Sequence, residues 1–358
     1  MNLGNAVKHI NFLRQKPLVS LKIAKGVFCG AILCRPVLRT VDFAVTNLCN
    51  SKCKMCSAHL LYKRPDKRLL SPDEIVDAFL QASRLGAMHI NFTGGEPLMR
   101  DIEELCYIIR RIRPKHHLIS LVTNSLLVTK TKLEKLKSAG LDTLQISMES
   151  LDPKTNDEIR GVPGHLAKAL QAYDLAAELG LSVCLSTVVT HKNFDEVEKI
   201  IAFARKQGKK DLFVLLNPIS ASGVVVGQTQ LKLTEQDLEK YEKLLSISFV
   251  RADTIFNFDG RSGCPGGKER IHITAFGDVI TCPHVQISYG NIRLEPLAKI
   301  WGRMLNTPDL KKFSKVCKHA FDQEYYDKFL LPIEDHGEVP ILLSEHPAAK
   351  GFSKTNLF

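Results

Sequence analysis

From residue 41 to about residue 217 the chain alternates short β-branched runs with longer amphipathic stretches, six times over. That alternation belongs to a parallel sheet covered by helices, because strands buried on both faces read as nearly continuous apolar runs and parallel neighbours need crossovers. The predicted strands are VDFAVTN (41–47), MHINFTG (88–94), LISLVTN (118–124), TLQISME (143–149), SVCLSTVVT (182–190) and DLFVLLN (211–217). Between them, Ser71-Pro72-Asp73-Glu74 reads as a helix start, with an N-cap serine, proline in the first turn and a glutamate three residues on. DIEELCYIIRRIRP opens acidic and closes basic, as the helix dipole favours. With right-handed crossovers the fold class is α/β, a partial (β/α)6 TIM-like barrel or a doubly wound sheet. Either one collects its ligands at the C-terminal strand ends.

The loops at those ends are polar or glycine-rich: Asn47 to Cys56, Thr93 to Pro97, Thr123 to Ser125, Ser147 to Ser150, Thr190 to Asn193, and Asn217-Pro218. The first holds TNLCNSKCKMCSAH (46–59), with Cys49, Cys53 and Cys56 in a C-x3-C-x2-C spacing. Ten unevenly clustered cysteines with no signal-peptide pattern fit a reducing cytoplasm better than a disulfide scaffold. Thiolates this close can converge on one centre. A structural zinc would want a fourth ligand, for which His59 is at hand. A 4Fe-4S cubane on three cysteines instead leaves one iron open to a small molecule.

Together with Gly94-Gly95-Glu96-Pro97 one strand later, this loop resembles the radical S-adenosylmethionine superfamily, with Met55 in a place usually filled by an aromatic residue. The resemblance implies a 4Fe-4S cluster on Cys49, Cys53 and Cys56, with S-adenosylmethionine chelating its open iron. It implies that Gly94, Gly95 and Pro97 offer a strand edge to the cofactor and that Glu96 meets its ammonium. Ser147 and Arg160 would reach its carboxylate, Asn124 its ribose, and Val188 with the backbone near Leu216 its adenine. The implied chemistry is reductive cleavage to a 5′-deoxyadenosyl radical, which abstracts hydrogen from a substrate C–H, fed by a donor such as flavodoxin or ferredoxin. The protein positions the reactants and excludes water. Cys184, Glu149, His191, His284 and Tyr289 are candidates for a general base or hydrogen donor; Cys106 and Cys184 also read as small buried hydrophobes.

Past residue 223 the alternation stops. LTEQDLEKYEKLL reads as a helix, and a separate module is expected from Cys264, where RIHIT and VITC flank Ala275-Phe276-Gly277-Asp278 as a β-hairpin that brings Cys264 and Cys282 together. GNIRLEPLAKIW then starts a helix, and Cys317 follows. These stretches are similar to SPASM and twitch domains, small α+β units that hold auxiliary clusters. The resemblance implies one auxiliary 4Fe-4S cluster on Cys264, Cys282 and Cys317. No further close run of cysteines is present for a second. Cys317 is followed by Lys318-His319-Ala320, so the fourth corner falls to His319, His284 or Asp322, or stays open. The expected organisation is a basic amphipathic segment (1–40), the barrel (41–223), the auxiliary-cluster domain (224–331) and a tail (332–358) that is a lid, a wrapping strand or disordered.

The formal charge is +11, and residues 1–41 carry seven basic residues, Lys8, Arg14, Lys16, Lys22, Lys25, Arg35 and Arg39, with no acid. Mixed with apolar residues and broken at Pro17, they read as an interfacial helix pair at a membrane surface or as helices packed outside the barrel. Nucleic acid is less favoured because aromatic interleaving is sparse. A small-molecule or an anionic, lipid-associated substrate is therefore the main expectation. A maturase of ribosomal peptides is the alternative, less favoured because no winged-helix pattern for peptide recognition precedes the barrel. A non-catalytic iron–sulfur redox sensor is the competing class.

Overall fold

The computed structural model describes residues 16–351, apart from 63–66, 221, 226, 253, 255–256, 313 and 335. Helix α1 (Pro17–Val27) precedes the barrel units: β1 (Thr40–Ala44), α2 (Pro72–Arg84), β2 (His89–Thr93), α3 (Ile102–Arg111), β3 (Leu118–Thr123), α4 (Lys130–Ala139), β4 (Thr143–Ser147), α5 (Pro153–Arg160), α6 (His165–Glu178), β5 (Ser182–Val189), α7 (Phe194–Gln207) and β6 (Leu212–Pro218). All six predicted strands form, and each pairs in parallel with its predecessor. Val41, Phe43, Ile90, Phe92, Leu144 and Ile146 are fully buried under the helices. Polar residues alternate with them on the inner face, where Asn91 donates to Asp42 (3.2 Å) and Gln145 to Ser186 (3.1 Å). Local signals hold too: Ser71 and Glu74 close a capping box on α2, and Asp101 caps α3.

The sheet does not end with these six strands. Helix α8 (Glu235–Leu245) leads to β7 (Val250–Arg251), which adds beside β6; β8 (Arg270–Ile273) adds in parallel beside β1 and carries β9 (Val279–Ile280) antiparallel. The order is β7-β6-β5-β4-β3-β2-β1-β8-β9. The predicted hairpin exists, and its first strand extends the barrel sheet beside β1. Arg270 fixes it there, donating to the buried Asp42 on β1 at 2.5 Å. Beyond β9 come β10 (Ile287–Ser288), α9 (Leu297–Asn306), a series of short helices that includes Lys318–Phe321, and β11 (Ile341–Leu342). β11 pairs in parallel with β10, and Ile341, Leu343 and His346 are buried.

Residues 1–15, where the first of the two expected N-terminal helices falls, lie outside the described residues. On α1 the bases are partly internal. Lys16 donates to Pro114 O, His117 O and Asp142, and Lys22 donates to Ser83, Ala87 O and His117. The helix thus caps the N-terminal ends of the strands while Leu18, Leu21, Phe28, Ile32 and Leu33 stay exposed. Among the described residues no helix is long and apolar enough to cross a membrane.

Candidate active site

The cysteine loop is clamped from five directions. The Glu96 N–H donates to Leu48 O (2.7 Å) and the Gly95 N–H to Thr46 O, so the end of β2 grips its start. Asn124, after β3, donates to Asn50 (2.7 Å) and Ser51 (3.0 Å). The Lys54 N–H donates to Ile159 O on α5, the Val224 N–H to Cys56 O, and the Gln286 amide to Ser57 O. Glycines permit the approach: a Cβ on Gly95 would meet Leu48 O at 2.0 Å, one on Gly161 would meet Lys52 O at 2.4 Å, and one on Gly223 would meet Cys56 O at 2.3 Å. Gly161 and Gly223 also take left-handed φ of 68° and 62°.

Burial pushes all three thiols up, Cys56 to about 11, while the Arg160 guanidinium beside them pulls each back toward thiolate. Backbone N–H groups of Ser51 and Ala58 face Cys49 and Cys56. Arg160 is itself buried; its Nη1 pairs with Glu149 Oε1 at 3.3 Å and its Nε has no hydrogen-bond partner. Three sulfurs met by N–H donors and one buried cation suit anionic thiolate ligands. Among the described residues no three Cys, His, Asp or Glu side chains converge on a single metal-ion position, whereas a cubane takes its ligands at separate corners.

The other predicted residues divide. Glu96 is 1% exposed; it accepts from Thr123 Oγ1 (2.8 Å), Asn124 N (2.7 Å) and Leu98 N (3.1 Å), so its carboxylate ties β2 to β3 instead of standing free. Pro97 is buried and opens the short turn that Glu96 caps, and Met55 is half-buried between two of the cysteines. Ser147 lies opposite Ser186 on the half-buried inner face. The Val188 N–H donates to Glu149 Oε2 at 2.8 Å. The Leu216 side chain belongs to the core under the helices and its carbonyl accepts from Tyr241, while the strand alternation turns Leu215 and Asn217 inward.

Among the proposed proton or hydrogen donors, Glu149 is sealed, accepting from Arg160, Thr187 and Val188 N–H. Cys184 is buried on β5. His191 pairs with Asp237 at 2.7 Å, beside the cap of α8, and Tyr289 is buried with its hydroxyl on Thr307. The hydrogen bonds described for His191 and Tyr289 do not run to the cysteine loop. Pattern reading missed Asn50, Ser51, Gly161, Gly223 and Gln286. Only Gly161, a glycine closing α5, carried a local signal.

In the second cysteine set, Cys282 is pushed up to about 12 by burial and by Cys264 beside it, and the N–H groups of His284 and Val285 face its sulfur. The Cys264 N–H donates to Ser314 O, which draws the segment before Cys317 against it.

Residues 43–204 match the Radical SAM superfamily, and residues 264–327 match SPASM, an iron–sulfur cluster-binding domain. The chain is a radical S-adenosylmethionine protein with a C-terminal SPASM domain. Its cofactors are accordingly a 4Fe-4S cluster, S-adenosylmethionine and auxiliary iron–sulfur. Relatives of this radical S-adenosylmethionine protein include the PqqA peptide cyclase of Rhizobium meliloti (strain 1021), 25% identical over 273 residues that cover 72% of each chain. The GTP 3′,8-cyclase of Aquifex aeolicus (strain VF5) is 28% identical over 268 residues, covering 70% of this chain and 83% of that one. In fold it is similar to Streptococcus suis SuiB bound to precursor peptide SuiA, at TM-score 0.59 and 18% identity over 75% of this chain; it spans only 65% of the SuiB chain. Native anSMEcpe with bound AdoMet gives TM-score 0.56 at 18% identity, over 77% of this chain and 83% of that one.

Proposed function

We propose that the chain is a radical S-adenosylmethionine enzyme that modifies a peptide. The observation that carries this is its likeness to PqqA peptide cyclases from three organisms, each over 72% of the chain. The expectation of a small-molecule or an anionic, lipid-associated substrate yields to its alternative, since it rested on N-terminal charge and two of those bases, Lys16 and Lys22, are engaged inside the protein.

In this reading Cys49, Cys53 and Cys56 hold the 4Fe-4S cluster, and S-adenosylmethionine lies along Gly94-Gly95-Glu96-Pro97 between Met55, Ser147 and Val188. Bound there, the reduced cluster and S-adenosylmethionine supply a carbon-centred radical able to take hydrogen from an unactivated C–H. Arg160 offers a planar cation to the methionine carboxylate. Asn124 holds the cysteine loop at a fixed distance from β3, beside the ribose. Flavodoxin or ferredoxin delivers the electron. The test supplies the reconstituted, dithionite-reduced protein with unlabelled S-adenosylmethionine and with extracts of deuterium-grown cells freed of their own S-adenosylmethionine, split into a peptide fraction and a small-metabolite fraction. Deuterium in 5′-deoxyadenosine from the peptide fraction alone is expected; deuterium from the small-metabolite fraction alone refutes the peptide reading, and absence of 5′-deoxyadenosine refutes the enzyme.

A peripheral contact with an anionic membrane accompanies this reading on one observation. Leu21 and Ile32, 66% and 68% exposed, share a 3–4 spaced face with Leu18 and Phe28, and the bases Lys25 and Arg35 lie exposed beside them. Flotation with anionic vesicles is expected and should be lost in Leu21→Glu/Ile32→Glu. Equal flotation of that variant, or equal binding to neutral vesicles, refutes it.

A further inference from the structure

The second cysteine set has three sulfurs and one missing corner. Where a C-x2-C pair would place its last thiol stands Ala320, and the sequence leaves His319, His284 and Asp322 as replacements. The structure separates them. Asp322 Oδ1 accepts from the Tyr325 N–H at 3.0 Å, capping the turn that follows it. His284 lines a small cavity with Ser222, Gly223, Gln286 and Leu330, on the side of the first cysteine loop, and its own N–H faces the Cys282 sulfur.

His319 is set apart by burial and by place: it is 9% exposed where His284 is half-buried, and it lies two residues past Cys317, with its Nδ1 buried and without a hydrogen-bond partner. Its ring stacks on His284, centroids 4.1 Å apart, directly above the segment that cups Cys282. It sits in the short helix that Cys317 caps, and the Cys264 N–H to Ser314 O bond holds the approach to that helix against Cys264. A buried imidazole nitrogen two residues past Cys317, on a ring stacked against His284, lacks a partner that an iron corner would supply.

We propose that His319 is the fourth protein ligand of the auxiliary iron–sulfur cluster held by Cys264, Cys282 and Cys317. The inference rests on the reading that this domain holds an auxiliary cluster at all. A neutral imidazole replacing a thiolate removes one negative charge from the cluster's ligand set, so its reduction potential lies above that of an all-cysteine site. The corner is then closed by the protein, and substrate does not bind that iron.

The experiment uses the full chain with Cys49, Cys53 and Cys56 all changed to Ala, so that only the auxiliary cluster reconstitutes. With histidine labelled by nitrogen-15, pulsed electron paramagnetic resonance of the reduced protein is expected to show a strongly coupled nitrogen. His319→Cys should keep the iron, lose that coupling and lower the midpoint potential, while His284→Ala should keep the coupling. Absence of the coupling in the parent, its persistence in His319→Cys, or its loss in His284→Ala overturns the assignment. If the parent binds no iron, the auxiliary-cluster reading itself fails and the assignment falls with it; if it binds iron without histidine coupling, only the ligand assignment fails.

Discussion

Arg160 Nη1 lies 3.3 Å from Glu149 Oε1, two charges nearly sealed from solvent beside the three thiols of the cysteine loop. Removing one partner leaves the other buried and unpaired, which costs about 3–5 kcal/mol where the pair is fully desolvated. Arg160→Gln should therefore unfold at markedly lower urea, and Arg160→Gln/Glu149→Gln should recover part of the loss because no lone charge remains. The single variant should also alkylate more slowly at its loop cysteines, since the cation that favours thiolate is gone. A single variant as stable as its parent would mean that the pair is not what holds β4 to α5.

The glycines around the cysteine loop predict a different defect. Gly161 and Gly223 combine positive φ with carbonyls of the loop at 2.4 and 2.3 Å from a would-be Cβ. Alanine at either site must shift Lys52 or Cys56, besides the ~1 kcal/mol of left-handed strain. Gly164 has the same strain, at φ +75°, and nothing within 4 Å of its Cβ position. Iron uptake on reconstitution should fall in Gly161→Ala and Gly223→Ala but not in Gly164→Ala. Equal uptake in all three would detach the loop's shape from its clamps.

Asp42 and Arg270 test whether the hairpin belongs to the barrel. Asp42 is buried, and Arg270 beside it, with Asn91, holds its carboxyl below the usual range against the opposing effect of burial. Arg270→Met leaves that carboxylate without its cation and should destabilise the whole chain by about 3–5 kcal/mol, in one transition. Two transitions, with β1 to β6 melting as in the parent, would show β8 and β9 to be a separate folding unit.

The six strands and the cysteine loop were legible because burial on both faces and thiol spacing are local patterns. What lay beyond reach was long-range. Nothing around RIHIT says that its partner is VDFAV, since a short apolar run pairs equally well at either sheet edge; the deciding contact joins Asp42 to Arg270, residues far apart in sequence. The three donors that hold the Glu96 carboxylate, on Leu98, Thr123 and Asn124, likewise come from segments that the fold alone assembles.

Three buried histidines give the last prediction its sign. His117, His165 and His272 are each lowered to about 4, in every case chiefly by burial. For His117 the geometry agrees: Lys22 and Ser83 meet its Nε2 at 2.7 and 2.8 Å, and its Nδ1 donates to Arg113 O, so a proton on Nε2 would face a lysine. Between about pH 6.5 and about pH 4 the unfolded chain binds protons that the folded chain refuses, so stability rises with pH across that window and is lost as pH falls through it. Each histidine contributes a slope of up to about 1.4 kcal/mol per pH unit there. Urea midpoints of the metal-free protein should therefore fall steadily from about pH 7 to about pH 5, and less steeply in His117→Gln, whose amide oxygen still accepts from Lys22 but does not titrate. An unchanged slope in that variant would mean that His117 is already protonated in the folded protein and that Lys22 does not dock α1 on it.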